Sequence, residues 1–325
     1  MEREIPRRLI SSLAFLLAMA AGGAFAADQL TRFSVPRGSH PHDVAPGANG
    51  MVWYTAQTSG KLGIVDPKTG EVNEVPLGRG SAPHGVIPGP DGAAWITDGG
   101  QNAIVRYDPK DGSVKVWPLP PEGANANLNT AAFDKAGTLW FTGQNGIYGR
   151  LVPATGKVEV FKAPKGRGPY GIAATPQGRV FYVSLAGSYL AEIDTASGAA
   201  KVIEPPTKDQ GARRVWSDSA GNLWISEWNA GKIGRYAPDT GAWKEWPLPG
   251  ASASAYAIFV DSRDIVWVSD FVSQAVLSFD PKSEKFTAFP NSARNGDVRQ
   301  IHGRPGEVLY AESGTEKIVV IRTGN

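Results

Sequence analysis

The sequence predicts a seven-bladed β-propeller, on three observations: an internal repeat, four short apolar runs in each copy, and complementary chain ends. The repeat centres on segments such as Val52–Thr55 and Leu223–Ser226, whose second residue is aromatic or Leu. That residue occurs at positions 53, 95, 140, 181, 224, 267 and 309, so successive copies are 41 to 45 residues apart. This period is typical of propeller blades.

The second copy shows how four strands fit into one period. Its apolar runs are Gly85–Ile87, Ala94–Thr97, Ala103–Tyr107 and Val114–Pro118. Turn residues such as Pro90-Asp91-Gly92 separate the runs, since Gly accepts the positive φ that a tight turn needs. No window has a helical apolar period of useful length, so the domain is predicted to be all-β.

The two ends of the repeat region complement each other. The segment Leu30–Pro36 resembles the fourth strand of a blade, and Lys317–Arg322 resembles a third strand. The first segment is therefore expected to complete the last blade and close the ring, which protects strand edges that would otherwise template aggregation.

The first 26 residues have the features of a secretory signal peptide. Arg3, Arg7 and Arg8 precede a 13-residue, mainly apolar run, and Ala24-Phe25-Ala26 provides a small-residue cleavage site. A membrane anchor is the alternative, but this run is too short to span a bilayer and no later segment is long enough. We therefore expect an exported protein, periplasmic or secreted, whose domain is residues 27–325.

Composition narrows the choice of partners. The chain has no cysteine, so disulfides and thiolate metal sites are excluded, while ten tryptophans and 42% hydrophobic residues suit a large core. The net charge is +2 and no basic block occurs, which disfavours nucleic acid and anionic membranes as partners. A closed ring without an apolar strip is expected to be a monomer.

Polar residues recur near the start of each innermost strand, where a propeller lines its central channel. Three of the four histidines, His40, His42 and His84, lie at two adjacent strand starts, whereas His302 is out of register and expected to be structural. Histidine titrates or binds ligands near neutral pH. The equivalent positions are His42, His84, Asn129, Tyr170, Arg213, Tyr256 and Arg299.

A second set of positions follows the second strand of each blade. Four of the seven residues are carboxylates, which could hold a hard cation such as Mg²⁺ through oxygen ligands or take part in acid–base chemistry. They could equally pair with arginines or accept hydrogen bonds from turn amides in a solvated channel. The set is Ala56, Asp98, Gly143, Ser184, Glu227, Asp270 and Glu312.

Several phrases of the repeat resemble those of the virginiamycin B lyase (streptogramin B lyase) family. They are Ser81–Val86, Gly168–Ile172, Leu223–Glu227 and Gly231–Arg235, which match that family's P-H-G-I, G-P-Y-G-I, W-F-T-E and N-K-I-G-R. The resemblance covers the whole mature chain. It implies a propeller and a Mg²⁺-dependent lyase that opens the ester of a cyclic depsipeptide by elimination.

The resemblance assigns roles position by position. His42 and His84 match the family's two histidines, and Asp98 stands for its later carboxylate. Ala82 occupies the place of an acidic residue, and Asn129 that of a tyrosine, while Pro169-Tyr170 lies one blade further on.

In the resulting hypothesis, His84 transfers the proton and His42 assists it or orients the substrate. Asp98 holds Mg²⁺ directly or through water. The substrate contacts are Tyr170, Arg213, Tyr256, Asn129 and Arg299.

Three functions stay open from the sequence. The first is a lyase acting on an ester or lactone. The second is a non-catalytic periplasmic propeller that binds a peptide, glycan or protein, and the third is a metal-dependent lactonase or other hydrolase. All three require a small-molecule or peptide-like ligand at the channel mouth.

Overall fold

Seven four-stranded antiparallel sheets form a ring in the computed structural model, which describes residues 30–324. The predicted seven-bladed β-propeller is confirmed. The predicted signal peptide, residues 1–26, lies outside the described residues.

The strands are numbered in chain order. Blade 1 contains β2 (Pro41–Pro46), β3 (Val52–Ala56), β4 (Lys61–Val65) and β5 (Val72–Pro76); blade 2 contains β6 (Pro83–Pro88), β7 (Ala94–Asp98), β8 (Ala103–Tyr107) and β9 (Val114–Pro118). Blade 3 contains β10 (Leu128–Phe133), β11 (Leu139–Gly143), β12 (Ile147–Val152) and β13 (Lys157–Lys162); blade 4 contains β14 (Pro169–Ala174), β15 (Val180–Ser184), β16 (Tyr189–Ile193) and β17 (Ala200–Ile203).

The remaining blades follow the same plan. Blade 5 contains β18 (Ala212–Ser217), β19 (Leu223–Glu227), β20 (Lys232–Ala237) and β21 (Ala242–Pro247); blade 6 contains β22 (Ala255–Val260), β23 (Val266–Asp270), β24 (Ala275–Asp280) and β25 (Lys285–Pro290). Blade 7 contains β26 (Ile301–Arg304), β27 (Glu307–Glu312), β28 (Lys317–Arg322) and β1 (Leu30–Ser34).

Helical structure within residues 30–324 is confined to single 3₁₀ turns. Their bounds are Ala48–Gly50, Pro121–Gly123 and Ser313–Thr315. None of these turns has the length or the apolar character needed to cross a membrane.

The ring closes as the chain ends predict. Strand β1 pairs antiparallel with β28, so the N-terminal segment supplies the outer strand of blade 7. Arg32 of β1 strengthens this closure, because its Nε donates to buried Glu312 at 3.1 Å and its Nη2 donates to the Pro290 carbonyl at 2.9 Å.

A recurring Asp–Trp contact fixes the turn between the first two strands of a blade. In blade 5, Asp218 accepts the Asn222 amide at 2.8 Å and the Trp224 indole N–H at 3.1 Å. Asp91, Asp134 and Asp261 accept the indole N–H of their own blades in the same way. The tryptophan that marks the repeat is therefore buried in the core with its polar atom satisfied.

A hydroxyl at the fourth position of the second strand joins neighbouring blades. Thr97 Oγ1 accepts the Gly85 amide of its own blade at 3.0 Å and donates to the Asn129 carbonyl of blade 3 at 2.5 Å. Five blades share this bridge, through Thr55, Thr97, Thr142, Ser226 and Ser269. Blades 4 and 7 have Val183 and Ala311 at the equivalent position.

The start of the inner strand carries an extra residue in most blades. In blade 1, Pro41 pairs with Ala56 and Val44 pairs with Tyr54. An advance of three residues along β2 is therefore matched by an advance of two residues along β3. The same irregularity occurs in blades 2 to 6. A β-bulge of this kind re-aims side chains, and here it brings two consecutive residues, His42 and Asp43, to the channel.

We call the end of the channel where the inner strands begin the upper mouth. The end where they finish is the lower end.

Candidate functional site

Two histidines meet at the upper mouth, as the sequence predicts. The imidazole rings of His42 and His84 have centroids 4.0 Å apart, and both side chains are nearly buried. Potential ligand atoms of His42, Asp43 and His84 lie within 4.8 Å of one another. This triplet is the chemical centre of the site.

Asp43 fixes the tautomer of His42. Its Oδ1 lies 2.8 Å from His42 Nδ1, so the imidazole donates from Nδ1 and its Nε2 retains a lone pair. Burial, followed by the charges of Arg214 and Arg299, holds the pKa of His42 well below 6.5. His42 is therefore a neutral imidazole with one nitrogen available as a proton acceptor.

Asn129 orients His84. The Asn129 Oδ1 accepts the Thr130 hydroxyl at 2.7 Å, which turns the amide nitrogen toward His84 Nε2 at 3.3 Å. His84 Nε2 then accepts and Nδ1 carries the proton, although buried Nδ1 has no partner among the described residues. Burial, followed by the repulsion of His42, holds the pKa of His84 well below 6.5.

An ion pair crosses the channel directly beneath the histidines. Arg214 of blade 5 donates from Nη2 to Asp43 Oδ1 at 3.0 Å, and from Nη1 to Thr130 Oγ1 of blade 3 at 2.7 Å. Burial raises the pKa of Asp43, and Arg214 opposes that shift. Both side chains are at least 95% buried. We call this contact the Arg214–Asp43 bridge.

A tyrosine pair and a cation form the opposite side of the mouth. The hydroxyls of Tyr170 and Tyr256 are 2.6 Å apart, and Arg213 Nη2 donates to Tyr170 at 3.2 Å. The Arg213 guanidinium lies 3.5 Å from the Tyr256 ring centroid and 4.5 Å from that of Trp228. Burial acts to raise the pKa of Tyr170, but Arg213 and Arg214 reverse the shift and lower it.

The Asp98 carboxylate is hydrogen-bonded to loops of its own blade. Its carboxylate accepts the Ser81 hydroxyl at 2.5 Å and the amides of Ala82, Gly100 and Gln101 at 2.9 to 3.0 Å. Asp270 and Glu312 clamp the loops of blades 6 and 7 in the same way. Asp98 does not belong to the group that His42, Asp43 and His84 form within the described part of the chain.

Glu227 is the exception in this set of carboxylates. It is fully buried, and neither oxygen has a hydrogen-bond partner among the described residues. Burial, followed by the nearby Glu245 carboxylate, raises the pKa of Glu227 to about 8. The amide that clamps the carboxylate in other blades belongs here to Gly211, and it donates to Ser188 Oγ instead.

The residues at the mouth fit Mg²⁺ poorly. Mg²⁺ prefers an octahedral set of oxygen ligands, whereas the triplet offers two imidazoles and one carboxylate. That carboxylate is already paired with Arg214, and Arg213 and Arg299 add positive charge nearby. We therefore assign no chemical step to Mg²⁺.

The predicted substrate contacts lie around this mouth in two groups. Asn129 belongs to the first group, with His42 and His84, and contacts His84. Tyr170, Arg213 and Tyr256 form the second group. Arg299 precedes β26, with its guanidinium 5.7 Å from the Phe271 ring centroid. Sequence reasoning missed Asp43, Thr130 and Arg214, each of which directly follows a predicted position and is brought to the channel by the bulge.

The closed ring and its histidine pair define a seven-bladed propeller with a polar site at one channel mouth. The chain belongs to the virginiamycin B lyase family, whose model matches residues 19–322. A search of the curated proteins gives no significant match.

Solved structures share the fold at low sequence identity. Virginiamycin B lyase from Staphylococcus aureus aligns with a TM-score of 0.83 and 19% identity, over 91% of this chain and 99% of that one. A catalytically inactive variant of the same lyase with quinupristin gives 0.82 and 20%, over 91% and 99%. YCF48 bound to D1 peptide gives 0.72 and 14%, over 91% and 96%.

Proposed function

We propose that the upper mouth binds a molecule containing an ester or lactone and opens it by elimination. The observation that supports this most is the Asp43–His42 pair, in which a buried carboxylate holds a neutral imidazole with Nε2 free. A positioned base of this kind suits removal of a proton adjacent to a carbonyl.

The proposed reaction needs no water. His42 Nε2 takes the proton from the carbon adjacent to the carbonyl, and the released electron pair forms a carbon–carbon double bond. The carbon–oxygen bond to the ester then breaks, and the ester oxygen leaves as a carboxylate. His42 returns its proton to solvent, so the ring-opened product is an isomer of the substrate.

Neighbouring groups are placed to assist. Arg213 carries a positive charge at the same mouth and could stabilise the developing carboxylate, since charge-assisted hydrogen bonds are the strong ones. His84, with Asn129 on Nε2, is better suited to orienting the substrate than to accepting a proton. The roles of the two histidines are thus exchanged relative to those the resemblance implied.

Quinupristin, the compound present with the inactive S. aureus lyase, is a suitable test substrate. Incubation with residues 27–325, with and without EDTA, should give a ring-opened product of unchanged mass in both cases. His42→Gln should lower kcat/KM by about 100-fold or more, which is the usual contribution of a general base.

His40→Gln is the matched control, because His40 lies two residues before His42, just ahead of β2, and outside the triplet. It should retain nearly full activity. Full activity in His42→Gln, or loss of activity with EDTA, would contradict the proposed mechanism. A product heavier by one water would identify the hydrolase instead.

A second candidate is a ligand-binding propeller without catalysis. It is favoured by the stacking of Arg213 on aromatic rings, and by Ala82 and Asn129 at two places where the family resemblance expects reactive groups. YCF48, which shares the fold, is bound to a peptide. Binding of quinupristin without conversion, detected by calorimetry, would support this candidate.

We also propose that the protein is exported and that it is a monomer. The charged, apolar and small-residue segments of residues 1–26 support a signal peptide. A C-terminally tagged chain should appear in the periplasmic or secreted fraction at the mass of residues 27–325. Light scattering after size exclusion should give one copy per particle.

A further inference from the structure

A second cavity lies on the other side of the Arg214–Asp43 bridge. Its volume is about 490 Å³, within the range of pockets that hold small molecules. Asp43, Thr130 and Arg214 form its upper boundary, and it extends past Pro88 and Pro176 at the lower ends of the inner strands. His42, His84 and Tyr170 do not line it, so it is separate from the upper mouth.

The walls of this lower cavity are largely apolar. Aliphatic and aromatic side chains from five blades line it, among them Ile87, Phe133, Ile172, Val215 and Trp216. Ile87, Phe133 and Trp216 are only partly buried, so apolar surface remains available. A ligand that covered it would gain about 25 cal/mol for each Å² removed from water.

Gln300 provides the first of three polar atoms in the cavity wall. Its Oε1 accepts the Val44 amide at 3.0 Å, which fixes the orientation of the side-chain amide. The Nε2 group makes no hydrogen bond to the described residues, although the residue is 93% buried. It is therefore an unused donor.

His302 and Arg214 provide the other two. His302 Nδ1 lies 2.7 Å from the Gly303 amide nitrogen and 3.1 Å from the Gly303 carbonyl oxygen. In the shorter contact the amide donates to Nδ1, which places the ring proton on Nε2, a donor without a protein partner among the described residues. Burial lowers the pKa of His302 to about 4, so the ring is neutral at physiological pH. Buried Arg214 Nε likewise has no partner in that part of the chain.

We propose that the lower cavity is a binding site for an uncharged, mainly apolar molecule that carries a carbonyl oxygen. Arg214, Gln300 and His302 of its wall each carry a donor without an acceptor among the described residues, and the Arg214 Nε donor is buried, where an unpaired donor is costly. An oxygen with two lone pairs satisfies such donors, and the apolar walls accommodate the rest of the molecule.

The charges around the cavity favour an uncharged ligand over an acid. Asp43 neutralises Arg214, and His302 is neutral, so neither provides a net positive charge for an anion. Asp134 and Lys135, which also line the cavity, have opposite charges. Burying an unpaired carboxylate there would carry a large desolvation cost.

The experiment uses the naphthyl ketone prodan, whose emission shifts to the blue when it moves from water into an apolar site. Titration into residues 27–325 should show saturable binding. The analogue 2-(dimethylamino)naphthalene lacks the carbonyl and should bind at least 10-fold more weakly. The corresponding naphthoic acid should also bind more weakly than the ketone, and tighter binding of the acid would overturn the uncharged assignment.

Variants locate the site. His302→Phe keeps an aromatic ring against Trp216 and Phe259 but removes the donor, and it should weaken prodan binding about 3- to 10-fold. Ala132→Phe should abolish binding by filling the cavity. Val272→Ala, at an exposed position outside the cavity, should bind as the unmodified chain does.

The histidines at the upper mouth provide the decisive comparison. His84→Gln should leave prodan binding unchanged, because His84 does not line the lower cavity. Absence of saturable binding, or weakening by His84→Gln but not by His302→Phe, would overturn the proposal. Circular dichroism and urea unfolding would verify that Ala132→Phe is folded; if it is not, His302→Phe and the probe series still decide the question.

Discussion

The two ends of the channel are built from the same seven inner strands, yet their chemistry differs. The upper mouth combines imidazoles, phenols and guanidiniums that already contact one another. The lower cavity has apolar walls and a buried donor, Arg214 Nε, without a partner among the described residues. The first arrangement suits proton transfer or polar recognition, and the second suits apolar binding.

The difference between the two ends of the channel arises from two consecutive residues near the start of an inner strand. The bulge at the start of β2 brings His42 and Asp43 to the channel in succession, with His42 in the upper mouth and Asp43 at the boundary of the lower cavity. The Arg214–Asp43 bridge lies between them.

The largest expected effect tests the charge of Glu227, the last residue of β19. The pKa of Glu227 is raised from about 4.5 to about 8, so the folded state binds its proton more tightly than the unfolded state does. Stability should therefore fall as pH rises from 4.5 to 8 and level off above that, by about 5 kcal/mol in total. Glu227→Gln should abolish this fall.

Urea unfolding of both chains at several pH values measures the difference. Glu245 and Lys232 are the charged groups that influence Glu227 most, and both remain in the variant. Parallel pH profiles for the two chains would contradict a buried, protonated Glu227.

The next effect tests the separation of the two ends. Arg214→Met leaves Asp43 buried without its cation, which should lower the free energy of unfolding by about 3–5 kcal/mol at pH 7. Adding Asp43→Asn removes the unpaired charge and should restore most of that loss. A loss below about 1 kcal/mol in the single variant would mean that the bridge is not maintained in solution.

The fold could be predicted completely because its signal is repeated seven times. The tryptophan positions, the turn residues and the complementary ends Leu30–Pro36 and Lys317–Arg322 all describe one blade plan, and the sheets follow it. The meeting of His42 and His84 also follows from the plan, since adjacent blades place equivalent positions side by side.

The contacts of the site could be predicted only in part. Aligning one position per blade finds His42 and Arg213, but the bulge adds Asp43 and Arg214, which pair although 171 residues separate them. Asp98 and Glu227 occupy equivalent positions, but the Asp98 carboxylate accepts hydrogen bonds and the Glu227 carboxylate has no partner among the described residues. Whether a loop amide reaches the carboxylate depends on backbone geometry that residue type does not reveal.

A third prediction concerns the lower end. The pKa of His302 is lowered to about 4 by burial, so its unfolded state takes up a proton first as pH falls. The stability associated with a neutral His302 should be lost between pH 6.5 and 4, by about 3 kcal/mol. His302→Phe should reduce the acid sensitivity measured by urea unfolding by that amount. An unchanged acid profile would place His302 in contact with water.

The smallest effect tests the boundary between the two ends, where hydroxyls join the blades. Thr97→Val leaves the Gly85 amide and the Asn129 carbonyl unpaired in a buried position and should cost about 2 kcal/mol in urea unfolding. Val183→Thr is the matched change in blade 4, where the bridge is missing, and it should cost less than Thr97→Val because it supplies a hydroxyl instead of removing one. Equal losses would show that the strands keep their spacing without these bridges.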